Sequence, residues 1–263
     1  MSKETNTGEV LSHAEPVMGT VASFSIYCGG VAHQKVAHAL AYSCTTLHQA
    51  DAVFSTWDHT SPMSRYRRQE VSLEDIPEDV SEVLDLCRIA RDMSHGWFDP
   101  WAMPGGVDPT GLVKGWAIEQ ALTAFAGSGV TGTMLNVGGD LATSGTPGSN
   151  QYWRIGIRHP WKKDALACVI ETDAAVATSG TYERGNILID PHTGQPSCRT
   201  ASATVIGPSL ALADALATAL AVAGAAGMEW FSSLPGYEAY LILPDGTEAD
   251  SGGIYFVDHQ AGE

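Results

Sequence analysis

Positive charge is scarce in this chain: 14 Lys and Arg stand against 30 Asp and Glu, a formal net charge of −16. Such a surface repels a phosphate backbone, which excludes nucleic acid as an expected partner. It does not exclude a nucleotide, because one or two cations and a helix N-terminus make a local anion site in an acidic protein. Cysteine is sparse too. The five (Cys28, Cys44, Cys87, Cys168 and Cys198) are odd in number, scattered and without a CxxC pair, so neither a disulfide framework nor a zinc site is expected. The nine histidines include no HExxH and no tight cluster, and Thr178-Ser179-Gly180 lacks the G-x-S-x-G of a nucleophile elbow. The first twenty residues hold neither a signal-like apolar core nor a lipobox cysteine, and no later run reads as a membrane span. The expectation is a cytoplasmic protein with no membrane span.

What remains is a composition of 44% apolar residues with 28 glycines and 13 prolines, ordinary for a chain that folds around a packed core. No linker, low-complexity tract or repeat divides it. Residues 1–263 are therefore expected to form a single catalytic unit, with residues 1–15 as a flexible N-terminal segment. Periodicity predicts a strand over Thr20–Cys28, a helix over Ala32–Asp51 and a second helix from Pro77 to Ser94, stopped by Gly96. The intervening FSTWDHTSPMSRYRRQE reads as too polar for core. A third helix follows Thr110 and carries Trp116, Ile118, Leu122 and Phe125. Strands are expected over Thr133–Leu141, Tyr152–Arg158 and Leu166–Glu171, then a helix from its N-cap Ser209 to Ala223, with Gly224 just past the end. Strands over Glu238–Leu243 and Gly253–Val257 flank a Pro-Asp-Gly turn. This order predicts an α+β fold of mixed, largely antiparallel sheets packed with helices.

Asp214 and Thr218 are four residues apart on a helix otherwise made of Ala, Leu and Val, so a carboxylate and a hydroxyl share one face. Two hard oxygen donors there suit Mg²⁺. A plainer account has Asp214 complementing the helix dipole and Thr218 bonding back to its own helix. In Asp108-x-x-Gly111-x-x-Lys114-Gly115, a glycine before a helix that begins with lysine offers bare N–H groups and a cation to an anion; a loop glycine and a solvated lysine is the alternative. Asn136-Val-Gly-Gly-Asp140 lets backbone approach a ligand, or forms a hairpin turn. Trp57, Trp97 and Phe98 are candidates to stack on a flavin or adenine, or to fill core.

Five ordered stretches then carry a resemblance across nearly the whole chain: Met18-Gly19-Thr20; Phe54-Ser55-Thr56-Trp57 through Ser61-x-x-Ser64-Arg65; Gly96-Trp97-Phe98-Asp99-Pro100 with the Asp108–Gly115 motif; Asn136-x-Gly138-Gly139-Asp140; and Ala177-Thr178-Ser179-Gly180 through Asp190-Pro191-x-Thr193-Gly194 to Asp214-Ala215-x-x-Thr218. The chain resembles the ApbE family of FAD:protein FMN transferases. That resemblance implies an ApbE-like fold and an FAD site built by Met18, Trp57, Trp97, Phe98, Asp99, Asp108, Lys114 and Leu188. It implies Mg²⁺ held by Asp214, Thr218 and the carbonyls of Gly111 and Ala217. The reaction it implies moves FMN from FAD to a Thr or Ser hydroxyl of an acceptor flavoprotein with an FMN-binding domain, releasing AMP.

Departures from the family pattern leave other outcomes open. Ile187 stands where members carry the histidine proposed as base, Pro62 and Arg67 replace a glutamate and an asparagine, and His95 stands where Asp-Gly is common. His192 is a substitute base or a surface histidine, and no catalytic residue is assigned. An FAD pyrophosphatase giving FMN and AMP, and a non-catalytic FAD-binding protein, are the alternatives.

Overall fold

The computed structural model describes residues 9–148, 151–180 and 188–259. In chain order its elements are β1 (Val10–Val17), β2 (Thr20–Tyr27), α1 (His33–Phe54), α2 (Pro62–Arg67), α3 (Glu78–Met93), α4 (Thr110–Leu122), β3 (Gly132–Val137), β4 (Asp140–Gly145), β5 (Trp153–Arg158), β6 (Leu166–Thr172), β7 (Ala175–Gly180), β8 (Ile189–Asp190), β9 (Gln195–Pro196), β10 (Ser202–Gly207), α5 (Leu210–Ala223), α6 (Gly227–Phe231), β11 (Glu238–Ile242), β12 (Glu248–Asp250) and β13 (Phe256–His259). The fold is α+β, as the sequence predicts. An eight-stranded sheet in the order β1-β2-β3-β4-β7-β10-β11-β12 lies beside a three-stranded sheet β13-β6-β5 and a short β8-β9 ribbon. Every strand pair among the described residues is antiparallel.

Strand periodicity sorts the core onto both faces of the large sheet. Ala203 and Val205 of β10 and Ala239 and Leu241 of β11 join the helices in the main core. Ile206, Tyr240 and Ile242, with Leu141 and Val176, face the other way and meet Trp153, Ile155, Ile157 and Ile170 of the small sheet. The central strands are thus covered on both sides. β10 is buried at all six positions.

α5 is the axis of the helical layer. Ser209 caps it through its hydroxyl, which accepts from the N–H of Leu212 at 3.4 Å, and the helix is buried almost throughout because Ala and Leu occupy every side. The apolar run Leu210–Phe231, with a mean hydropathy of 1.7, is long enough to cross a membrane, contrary to the expectation of no such run, but most of it is interior to the protein. α4 packs tightly on α5 because Gly115 has no side chain: a Cβ there would sit 2.4 Å from the carbonyl oxygen of Leu210.

Several expected boundaries shift. The segment expected to be flexible through residue 15 is strand β1 from Val10 onward, paired along its length with β2. The single strand expected over Thr133–Leu141 is a hairpin, β3 and β4, turning at Gly138 and Gly139, whose φ values of 62° and 106° need glycine. The partner of β11 across Pro244-Asp245-Gly246 is β12, whereas β13 crosses to the small sheet. The polar stretch after α1 also contributes to the core, since α2 buries Met63 completely.

Candidate functional site

The site grows from the contact of α4 with α5. Asp214, in the second turn of α5, is buried and points across the helix pair, where its Oδ2 accepts from the backbone N–H of Gly115 at 3.1 Å. It lies beside the carboxyl of Asp140, which opens β4 and is itself buried. Asp140 in turn ion-pairs with the Lys114 ammonium and accepts from the Thr178 N–H at 2.9 Å. Four residues on from Asp214, the Thr218 hydroxyl meets the Ser179 hydroxyl of β7 at 3.2 Å rather than turning back on its own helix. The dipole-and-back-bonding account of the pair therefore does not hold. Burial raises the Asp214 carboxyl well above the usual carboxylate range, the Asp140 charge raises it further, and Lys114 and the Gly115 N–H only partly offset this.

Lys114, Thr178, Ser179, Asp214 and Thr218 form the floor of a cleft of about 1520 Å³, and the fully buried Asp140 lies beneath it. Its walls come from the Met18–Gly19 turn, the end of α1 with Trp57, the Trp97–Pro100 segment, the β3–β4 turn and Leu188. A further wall, Arg158 to Trp161 with Lys163, belongs to the β5–β6 connection of the small sheet. Two exposed tryptophans stand at the cleft: Trp57 is 91% exposed and Trp161 54%.

The donor set itself tests whether a metal belongs here. Two buried carboxyl groups face one ammonium, so full ionisation leaves an uncompensated negative charge away from water. All the available donors are oxygens: a carboxylate, two hydroxyls and backbone carbonyls. That set fits a hard divalent cation and offers no soft ligand.

A model of the ApbE family matches residues 101–241, more than half of the chain and the stretch that holds Asp108, Lys114, Asp140, Asp214 and Thr218. The chain belongs to the ApbE family. The FAD:protein FMN transferase of Rhodobacter capsulatus is 34% identical over 148 residues, covering 53% of this chain and 28% of that protein. That of Vibrio cholerae serotype O1 is 33% identical over 129 residues, covering 45% of this chain and 39% of that protein. The matched stretches thus span less than half the length of these curated relatives. Among solved structures, the flavin transferase ApbE from Vibrio cholerae superposes with a TM-score of 0.78 over 96% of this chain and 98% of that one, at 22% identity. The ApbE protein from Thermotoga maritima gives 0.78 over 93% and 97%, also at 22% identity. At such identity the likeness is one of fold.

Met18, Trp57, Trp97, Phe98, Asp99, Asp108, Gly111, Lys114, Leu188, Asp214 and Thr218 all line the one cleft. Ala217 does not; it is buried on α5. Gly111 lies inside the first turn of α4 rather than ahead of the helix, and Lys114 follows in the second. Asp108 is engaged, with one oxygen receiving the Thr110 N–H and hydroxyl at 3.1 and 2.6 Å and the other held by Arg67 at 3.0 Å. Arg67, where the family has asparagine, therefore ties α2 to the start of α4. Asp99 caps a short turn through the Trp101 N–H at 2.9 Å. Phe98 is mostly core. Trp97 is wedged between the Arg199 guanidinium, 5.4 Å from its ring, and His192 at 4.7 Å. His192 is exposed and is not part of the cleft wall. Ile187 lies outside the described residues.

Sequence reasoning missed Asp140 as a member of the buried pair, though it had marked the residue as the end of a turn motif. It also missed Arg158, His159, Trp161 and Lys163, which no local pattern distinguishes from a surface loop. Outside the cleft, spacing in the sequence gives no sign that His13, Glu15 and Cys44 come together from β1 and α1, with His48 hydrogen-bonded to Glu15.

Proposed function

We propose that this protein is an Mg²⁺-dependent FAD:protein FMN transferase, acting on a Ser or Thr hydroxyl of an acceptor flavoprotein. The observation that carries the reading is Asp214 and Lys114 at the floor of a cleft large enough for a dinucleotide, both backed by the buried Asp140 carboxyl. The names of the curated relatives support it. Asp214 and Thr218 are the side chains that would hold the cation, with the carbonyl of Gly111 as a further oxygen donor. When bound there, Mg²⁺ would offset the charge that builds on the pyrophosphate oxygens.

In the transfer, the acceptor hydroxyl oxygen bonds to the phosphorus on the FMN side of FAD, the anhydride P–O bond breaks, and AMP leaves with the electron pair. The chain's own part is positioning and electrostatics. Lys114 places a cation at the cleft floor while Asp140 fixes its ammonium. Gly115 lets α4 approach α5 so that the Asp214 carboxylate is held by a backbone N–H and cannot swing away. Trp57 and Trp161 offer flat apolar faces at the cleft for the flavin or the adenine. No residue is assigned as the base for the hydroxyl proton.

The test is a nucleotide chromatogram after incubation with FAD, with and without Mg²⁺ and an FMN-binding-domain acceptor. AMP release together with covalently flavinylated acceptor, both lost on chelation, is the expected result. The presence of Ile187 at the family's histidine position motivates the alternative hydrolytic reading: free FMN and AMP in equal amounts without acceptor would select a pyrophosphatase. Yellow protein that leaves FAD intact would select the binding-only reading.

A further inference from the structure

The packing of β1 on α1 gathers four metal-ligating side chains that the transfer chemistry does not use. His13 and Glu15, two apart on a strand, share a face, and Cys44 and His48, four apart on a helix, share another. One ligand atom each of His13, Glu15 and Cys44 lies within 4.8 Å of the others. The Glu15 carboxylate already holds both imidazoles: Nε2 of His13 is 3.2 Å from Oε2, and Nε2 of His48 is 2.7 Å from Oε1. His13, Glu15 and Cys44 are half-buried, and the His48 side chain, 50% exposed, leaves a path from solvent.

We propose that His13, Glu15, Cys44 and His48 form a binding site for a borderline transition-metal cation, with Zn²⁺ the best match. Two imidazoles, a thiolate and a carboxylate are a four-ligand set that Zn²⁺ takes tetrahedrally. Bonds of about 2.0–2.3 Å put neighbouring ligand atoms roughly 3.3–3.8 Å apart. The His13–Glu15 distance lies just below that range, and the thiol closes to it by moving about 1 Å at most. His48, hydrogen-bonded to Glu15 at 2.7 Å but outside the close group of the other three, reaches the fourth position by rotating its exposed side chain. The charges of Cys44 thiolate and Glu15 together neutralise the ion. This site is chemically distinct from the oxygen-only set at Asp214, so a soft-tolerant metal and Mg²⁺ sort between the two. It also clips β1 to α1 just before the two elements enter the cleft wall through Met18 and Asp51, which are joined by a 3.0 Å hydrogen bond.

The experiment is a titration of metal-free protein with Co²⁺, a coloured stand-in for Zn²⁺, in excess Mg²⁺ and in a Cys198→Ser background that removes the exposed thiol. One equivalent should bring up a thiolate-to-cobalt charge-transfer band with the visible absorption of a tetrahedral site. Zn²⁺ should abolish both and raise the melting temperature. Cys44→Ser should remove the band, and His48→Ala should weaken binding at least about tenfold, since loss of even an outer partner of a ligand costs 10–100-fold. Both variants should keep the circular dichroism spectrum and Mg²⁺-dependent AMP release. The proposal is overturned if no charge-transfer band forms, if the band survives Cys44→Ser, or if His48→Ala binds Co²⁺ as tightly as its parent.

Discussion

At Asp214 the fold opposes the charge that the proposed chemistry needs. Because the carboxyl is raised in the folded protein, the folded state holds a proton that the unfolded chain has released at the same pH. Metal-free stability is therefore complete below the ordinary carboxylate pKa and falls as pH climbs from there through the raised value. A divalent cation competes with that proton, so Mg²⁺ should bind more tightly as pH rises and should release protons on binding, measurable by calorimetry in buffers of different ionisation enthalpy. Asp214→Asn should flatten the pH dependence of the metal-free melting temperature and leave the fold intact. It should cut AMP release by roughly 10²-fold or more, the scale of losing one preorganised charge-stabilising group. An unaltered rate in that variant would remove Asp214 from the site.

Met18 shows strain at the same scale. It adopts φ 52° in the two-residue turn between β1 and β2, a left-handed conformation that costs a non-glycine residue about 1 kcal/mol or more. Asp51 holds it there by accepting its N–H, and the residue lines the cleft. Asn tolerates such a turn position far better. Met18→Asn is expected to stabilise the protein by about 0.5–1 kcal/mol in urea denaturation while raising the KM for FAD. A variant that gains neither stability nor a higher KM would show the side chain to be incidental.

At the scale of elements, the α4–α5 contact decides where Asp214 and Lys114 stand relative to each other. Adding a methyl at Gly115 would drive it into the Leu210 carbonyl, which is backbone and cannot rotate aside. Ala is favoured over Gly inside a helix by about 1 kcal/mol, yet overpacking a tight backbone contact typically costs 1–3 kcal/mol. Gly115→Ala is expected to be net destabilising by chemical denaturation and to lower kcat more than it raises the KM, because it moves the Asp214 partner rather than the walls. β5 was legible because one face meets solvent, WRIGIR alternating buried and exposed positions, and α5, though buried almost throughout, because Ser209 stands before it and Gly224 after. β7 and β10 were not, since burial on both faces erases alternation. β1 was missed for the opposite reason: an edge strand stays polar and accommodates Pro16.

Across the whole molecule, the cleft lies where the helical layer, one end of the large sheet and the small sheet meet. Its floor was readable because a carboxylate and a hydroxyl share one face of an otherwise apolar helix, and because the motifs follow one another in a fixed order. Its far wall was not, because the β5–β6 connection reaches the cleft only through the packing of one sheet on another, a contact between residues distant in sequence. His13 and His48 are hidden in the same way. If one cofactor spans from Trp57, after α1, to Trp161, beyond β5, each Trp→Ala change should cost about 0.5–1.5 kcal/mol of binding, roughly two- to tenfold in KM for FAD. The double variant should lose the product of the two factors when the tryptophans grip separate ends of the ligand, as sites without shared partners do. Rings that instead sandwich one aromatic system should lose less than the product, since removing the first already frees the face that the second holds. A KM for FAD unchanged in both single variants would leave the walls without a role in FAD binding and move the tryptophans to the acceptor side, where the KM for the acceptor domain is the quantity that changes.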